Sequence, residues 1–180
     1  NTFYKDTVRR HDALVAKGIT YIDSGTSGGL EGARNGACLM LGGDEKKVRE
    51  LSWLWDALCL QGQASQARLA SRAWEYFGLS GAGHFVKMVH NGVEYGMDQA
   101  IGEGFEVLAK GPYVLDLPKV AANWSQGSVV RGWLVELLAR ALGKDPRLDT
   151  FTGKAGGGET GKWALATAKE LGVEAEILPP

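Results

Sequence analysis

Apolar residues recur at helical spacing along most of the chain and at strand spacing in only three short runs. Thr7 to Lys17 sets Val8, Leu14 and Val15 among Arg9, Arg10, His11 and Asp12, an amphipathic helix ended by Gly18. Ile19–Asp23 then reads as a strand, so helix, glycine and strand form the αβ half of a βαβ unit. Ala37–Gly43 is a second strand and Trp74–Gly78 a third. Between them Asp44 caps a helix whose stripe of Val48, Leu51, Leu54, Trp55 and Leu58 faces a core. Gln61 to Arg72 is polar and alanine-rich and fits a loop or a short helix. The longest helical pattern runs from Gly81 to Glu106, with Phe85, Val89 and Val93 on its core side. After the Lys110-Gly111-Pro112 turn, Asp116 and Pro118 start a helix containing Val120, Ala121 and Trp124. Gln126-Gly127-Ser128 breaks it, and Val129 to Leu142 follows with a stripe of Val130, Trp133, Leu134, Leu137, Leu138 and Ala141. A last helix spans Trp163 to Leu171 and stops at Gly172; the closing Pro-Pro is a helix stop or the cut end of a longer chain. The order predicts an α/β part up to a boundary near Gly78–Gly81 and a helical part after it.

Composition narrows the function classes. The 180 residues carry a formal net charge of −1, which argues against a nucleic-acid partner. No apolar run approaches the length of a membrane span, and the opening NTFYKDTVRR lacks the order of a signal peptide. Cys38 and Cys59 lie in apolar segments and read as buried thiols of a reducing compartment, with no disulfide or metal site expected. The six tryptophans sit mostly at helical spacings and are assigned to cores. Glycine stands out: 26 residues, against a usual share of about 7%. The glycines gather between periodic segments, where turns and ligand approaches are made.

The candidate chemistry concentrates on the long helix. Lys87, His90, Asn91, Glu94 and Asp98 fall within about 80° of arc on a 3.6-residue period. An ammonium, an imidazole, an amide and two carboxylates thus share one face. The plain alternative is a solvated face with pairs such as Lys87–Asn91 and His90–Glu94. Gly81, Gly83, Gly92 and Gly96 weigh against it, because each costs about 1 kcal/mol in a helix and so points to a backbone or ligand approaching closely. Ser24-Gly25-Thr26-Ser27-Gly28-Gly29 and the glycines to Gly36 read as a ligand loop at the carboxyl end of a strand or, equally on composition alone, as a plain surface loop. Arg131 at a helix start opposes the helix dipole, which suits either an anionic partner or a nearby carboxylate. Gly156-Gly157-Gly158-Glu159-Thr160-Gly161-Lys162 approaches a P-loop, but Trp163 stands where Ser or Thr is required.

Taken together, GTSGGLEGARNGACLMLGGDE, GAGHFVKMVHNGVEYGMDQAIGEGFE, GSVVRGWL and ETGKW resemble, in content and order, the decarboxylating 6-phosphogluconate dehydrogenases. The resemblance covers essentially the whole chain and is greatest to the shorter, bacterial-type branch. HFVKMVHNGVEY is its most specific string; the SGG-containing string is shared with the wider β-hydroxyacid dehydrogenases. It implies an α/β remnant of a Rossmann-type dinucleotide-binding domain over residues 1–79 and the family's all-α C-terminal domain over 80–180, mainly helical overall. Residue 1 then reads as an internal position of a longer protein.

The implied reaction, a step of the pentose phosphate pathway and of gluconate utilisation, oxidises 6-phosphogluconate at C3 with NAD or NADP and releases CO₂ and ribulose 5-phosphate. By resemblance Lys87 is the general base and Glu94 the acid that protonates C1 of the enediol. Ser27, Gly28 and Gly29 hold the carboxylate end of the substrate, His90 and Asn91 its hydroxyls, and Tyr95, Arg131 and Lys162 its phosphate. Asn1 matches an asparagine near the nicotinamide. No metal is implied; a cytoplasmic homodimer formed through the helical domain is. Ala164 departs from the threonine often found two residues after the lysine of the GKW motif, which removes a phosphate-binding hydroxyl. The family's glycine-rich cofactor fingerprint is expected upstream of these residues, so the piece alone is expected to be inactive. Two alternatives stand beside this: another β-hydroxyacid dehydrogenase, or a non-catalytic helical dimerisation module.

Overall fold

The computed structural model describes residues 1–61, 72–154 and 158–176. Gln61–Arg72, save for its two ends, as well as Gly156, Gly157 and the closing Pro-Pro, lie outside the described residues. Two compact units emerge: Asn1–Val93 with Glu159–Pro180, and Glu94–Gly158. The α/β part followed by a largely helical part matches the fold class read from the pattern.

The first unit opens with α1 (Tyr4–Val15), which begins three residues before the predicted start. Strand β1 occupies Asp23–Ser27, so the strand expected at 19–23 and the loop expected at 24–36 are both corrected. Ile19 is exposed, while Asp23 and Gly25 alternate inward. Pairing decides the matter over propensity: β1 lies antiparallel along the buried strand β2 (Cys38–Gly42), with Asp23 opposite Gly42 and Ser27 opposite Cys38. The glycine-rich stretch after β1 forms the short helix α2 (Gly29–Asn35). The Asp44 carboxylate caps α3 (Glu45–Glu50) by accepting from the Lys47 N–H at 2.9 Å, as the pattern predicted. The expected single helix breaks at Leu51 and resumes as α4 (Ser52–Leu58). There the Trp55 indole N–H donates to the Val48 carbonyl at 2.8 Å, filling an acceptor at the interruption. β3 (Trp74–Gly78) returns parallel to β2, so the βαβ unit is β2–α3–α4–β3 and does not include α1 and β1.

Leu39, Leu41, Val48, Trp55, Cys59 and Trp74 form the core of this unit. Leu58 and Trp53 are exposed, contrary to expectation, and of the two free cysteines Cys59 is buried and Cys38 exposed. Helix α5 (Ala82–Lys110) carries the predicted central stretch; its residues up to Val93 belong to this unit. Its burial departs from the apolar reading at Val89 and Val93, while Phe85 is half-buried. Met88 and Lys87 are 1% and 5% exposed, whereas Val89 and Val93 are 40% and 49% exposed. α8 (Glu159–Glu170) also belongs here and begins four residues earlier than predicted.

The second unit is helical, with α6 (Leu117–Trp124) and α7 (Trp133–Lys144) after the rest of α5. Asp116 accepts from the Lys119 N–H at 3.1 Å and Pro118 lies in the first turn, as read from the sequence. Phe105, Ala121 and Leu142 form its core, with Val120, Trp124 and Leu138 packed against them. α7 starts four residues later than expected, and its buried positions are Val135 and Leu142; Val130, Trp133 and Leu137 are exposed. Among the described residues no helix is long and apolar enough to cross a membrane.

Candidate active site

The site in the first unit is built by pressing the start of α5 onto β1 and β2. Small residues make this possible. A Cβ on Gly83 would lie 2.2 Å from the Met40 carbonyl oxygen, and one on Gly25 would lie 2.5 Å from Cβ of Lys87. No larger residue fits either place without moving the helix off the sheet. This is the close backbone approach that the helix glycines implied for Gly83.

Polar bonds lock the docked helix. Asp23 Oδ1 accepts from the Gly81 N–H at 2.7 Å and Oδ2 from the His84 N–H at 2.9 Å. Those amides are the donors that a helix start leaves without intrahelical partners. Charge-assisted bonds of this kind are each worth about 1.5–3 kcal/mol. The His84 ring meets the Thr7 hydroxyl at 2.8 Å, tying α1 to α5. Burial holds the His84 imidazole below its ordinary titration range, with the nearby Asp23 carboxylate opposing that shift. An aromatic row of Trp163, Phe3, Tyr4 and Phe85 joins α8, α1 and α5, with ring centroids 5.0–5.3 Å apart. Thr7, Asp23 and His84 were not singled out from the sequence. The signal available was an acid opening the strand that leads into the SGG string.

Beyond these anchors the face of α5 joins the end of β1. Ser27 Oγ lies 3.1 Å from Nε2 of His90, and His90 Nδ1 lies 3.1 Å from Nζ of Lys87. Lys87 Nζ also donates to Oδ1 of Asn91. With Nδ1 accepting from the lysine, Nε2 carries the ring proton and donates to Ser27. Four of the predicted residues therefore form one connected set, with the lysine nearly enclosed. An amine bonded to Oδ1 of Asn91 and Nδ1 of His90 is placed to pass a proton on and to take one back.

Gly28 and Gly29 follow Ser27 at the start of α2, with Gly28 at φ 132°. Asn1 clamps the same strand: its Nδ2 donates to the Thr26 carbonyl at 3.0 Å, and its Oδ1 accepts from the Thr26 N–H at 2.8 Å. Lys162 is exposed on α8 and paired with Glu159 at 3.0 Å. Its neighbours fix the helix: Trp163 stacks near Phe3, and Ala164 is buried. At the Ala164 position a hydroxyl would face packed atoms and not open solvent.

Three predicted residues belong to the second unit. Glu94 and Tyr95 are half-buried on α5, and Tyr95 Oη lies near Gly158. Arg131 precedes α7, outside the helix, and donates from Nη1 to the Ser128 carbonyl at 3.1 Å. Asp98 on α5 has its carboxyl raised by burial first and by the Glu94 charge second.

Comparison with known proteins shows the family of the chain. Residues 1–60 match a family model described as the NAD binding domain of 6-phosphogluconate dehydrogenase. The chain is 41% identical over 179 residues to the NAD(+)-dependent, decarboxylating 6-phosphogluconate dehydrogenase of Haloferax volcanii, covering 99% of this chain and 56% of that one. It is 37% identical over 186 residues to the NADP(+)-dependent, decarboxylating enzyme of Bacillus subtilis, covering 99% of this chain and 38% of that one. The fold superposes on Plasmodium falciparum 6-phosphogluconate dehydrogenase with a TM-score of 0.83 at 29% identity, over 98% of this chain and 38% of that one. That protein has been solved alone, with its cofactor NADP+ and with its substrate 6-phosphogluconate. The chain thus spans about half or less of the length of these relatives. Residues 83–179 match the family model for the 6-phosphogluconate dehydrogenase C-terminal domain, and the chain belongs to the 6-phosphogluconate dehydrogenase family.

Proposed function

We propose that this chain supplies the substrate-handling part of an enzyme that oxidises and decarboxylates 6-phosphogluconate to ribulose 5-phosphate and CO₂. The observation that carries the reading is the connected set Ser27–His90–Lys87–Asn91 around a nearly enclosed lysine. Lys87 takes the C3 hydroxyl proton as the hydride leaves C3, and returns it to the forming C2–C3 enediol oxygen as CO₂ departs. Glu94 then protonates C2 of the enediol, the carbon that becomes C1 of ribulose 5-phosphate. Ser27 with the Gly28 and Gly29 turn orients the carboxylate end, and His90 and Asn91 orient the hydroxyls. Tyr95, Arg131 and Lys162 receive the phosphate. For that role Lys162 must exchange its Glu159 partner for the phosphate.

NAD or NADP, when bound, supplies the hydride acceptor. Among the residues present Asn1 is the one assigned to the nicotinamide end. Both atoms of its amide engage Thr26, so it fits as a frame for the turn beside Ser27. The functional division proposed is 1–79 for the cofactor-side α/β part and 80–180 for the helical part. The partner proposed is a second copy, met through the helical part, where Val107, Tyr113, Val114, Val129 and Val130 are exposed. A reducing, cytoplasmic setting suits the two free thiols.

Calorimetric titration of this chain with 6-phosphogluconate and with gluconate tests the reading. Binding of the phosphorylated acid alone, lost in Lys87→Met, is expected. Equal binding of both acids favours another β-hydroxyacid dehydrogenase, and binding of neither contradicts the site.

A further inference from the structure

Asp23 and His84 take no part in the chemistry above, yet they are among the most enclosed polar groups, 1% and 7% exposed. A carboxylate taken out of water is costly unless its lone pairs are filled. Here they are filled by the Gly81 and His84 amides of the first turn of α5. Strand and helix then run beside each other. Gly25, two residues on from Asp23, faces Cβ of Lys87, and Ser27, four residues on, meets His90. The lengths agree: Asp23 to Ser27 rises about 13 Å along a strand, and Gly81 to His90 rises about 13.5 Å along a helix. The pair is pinned at one end and makes its polar contacts at the other.

We propose that Asp23 is a positioning residue, which sets the register of α5 on β1 through the Gly81 and His84 amides and so determines whether His90, and Lys87 through it, meets Ser27. The proposal rests on reading Lys87 as the proton-transfer group. Both carboxylate oxygens are used, so an amide in place of the carboxylate loses one acceptor. A glutamate keeps the charge but is longer by one methylene, comparable to the 1.5 Å rise of one helical residue.

The test is heteronuclear NMR of the 180-residue chain, comparing wild type with Asp23→Asn, Asp23→Glu and Val48→Ala. Val48 lies in the separate apolar core and serves as a destabilised control. In wild type the Gly81 and His84 amides are expected downfield and slow to exchange. In Asp23→Asn both move upfield, the Lys87 side-chain and His90 ring signals shift, and 6-phosphogluconate binds about tenfold more weakly. Asp23→Glu shifts the Lys87 and His90 signals even where its melting temperature is near wild type. Val48→Ala lowers the melting temperature and leaves those signals in place. Wild-type Lys87 and His90 signals in Asp23→Asn, or equal shifts in Val48→Ala, overturn the proposal. Should Asp23→Asn not fold, Asp23→Glu decides: shifted signals support the proposal and unshifted ones overturn it. The spectra need no ligand, so failure of the wild-type chain to bind the sugar phosphate counts against the Lys87 reading alone.

Discussion

Two polar clusters share one strand and one helix, and they are built differently. Around Asp23, both carboxylate oxygens are bonded to backbone and the His84 ring is bonded to Thr7. Around Lys87, the bonds run between side chains: lysine to asparagine and histidine, histidine to serine. Backbone partners cannot swing away, whereas side-chain partners can be exchanged for a substrate's hydroxyls and carboxylate at little cost. In the proposed reading the first cluster is an anchor and the second a receptor, and Gly25 and Gly83 let strand and helix sit close together.

The largest effect that sharpens this contrast is expected at Gly83. Alanine there places a Cβ against the Met40 carbonyl and should destabilise the chain by about 3 kcal/mol. Urea unfolding measures it, and a change within experimental error would mean the helix is not pressed on the sheet. Next comes Lys87→Met. It should weaken 6-phosphogluconate binding by about 30-fold or more, near 2 kcal/mol, and leave unfolding midpoints nearly unchanged. A variant that loses stability instead would make Lys87 part of the anchor.

A smaller effect follows from His84. Its imidazole titrates below the ordinary value because it is buried, against the opposing pull of Asp23; Thr7, the Ser24 carbonyl, Arg10 and the amino terminus also face it. The unfolded chain therefore takes up the proton first. The associated stability is complete above about pH 6.5 and is lost as pH falls from there towards the folded-state value. Urea midpoints compared at pH 7.5 and below 6 check the sign, and a rise in stability on acidification would contradict it. Smallest is the α1–α8 ion pair of Lys5 and Glu170, 2.6 Å apart on the surface. Lys5→Ala should not move the melting temperature measurably.

Legibility in the sequence followed the range of the cause. Asp44 and Asp116 as caps and Pro118 in a first turn are local devices, and all stand where the pattern put them, whereas α1 ends at Val15, two residues short of the Lys17 that Gly18 was expected to follow. The set Ser27, Lys87, His90 and Asn91 was reached through helical spacing and resemblance together. Burial was not legible, because neighbours distant in sequence decide it. β1 and α8 cover Lys87 and Met88, where Gly25 and Thr167 meet them, and leave Val89 and Val93 outward. β1 forms in a glycine- and serine-rich stretch because β2 offers it a buried partner, while the β-branched run before it stays unpaired. The Asn1 clamp and the Lys162–Glu159 pair are side-chain contacts that no spacing rule announces.

The most direct measurement is the map of 6-phosphogluconate on the chain by amide and side-chain NMR shifts, with gluconate as comparison. The account predicts saturable shifts centred on Ser27, Gly28, Lys87, His90 and Asn91, with the Gly81 and His84 amides unmoved. Shifts spread evenly over the surface, or confined to residues away from Ser27 and Lys87, would contradict it.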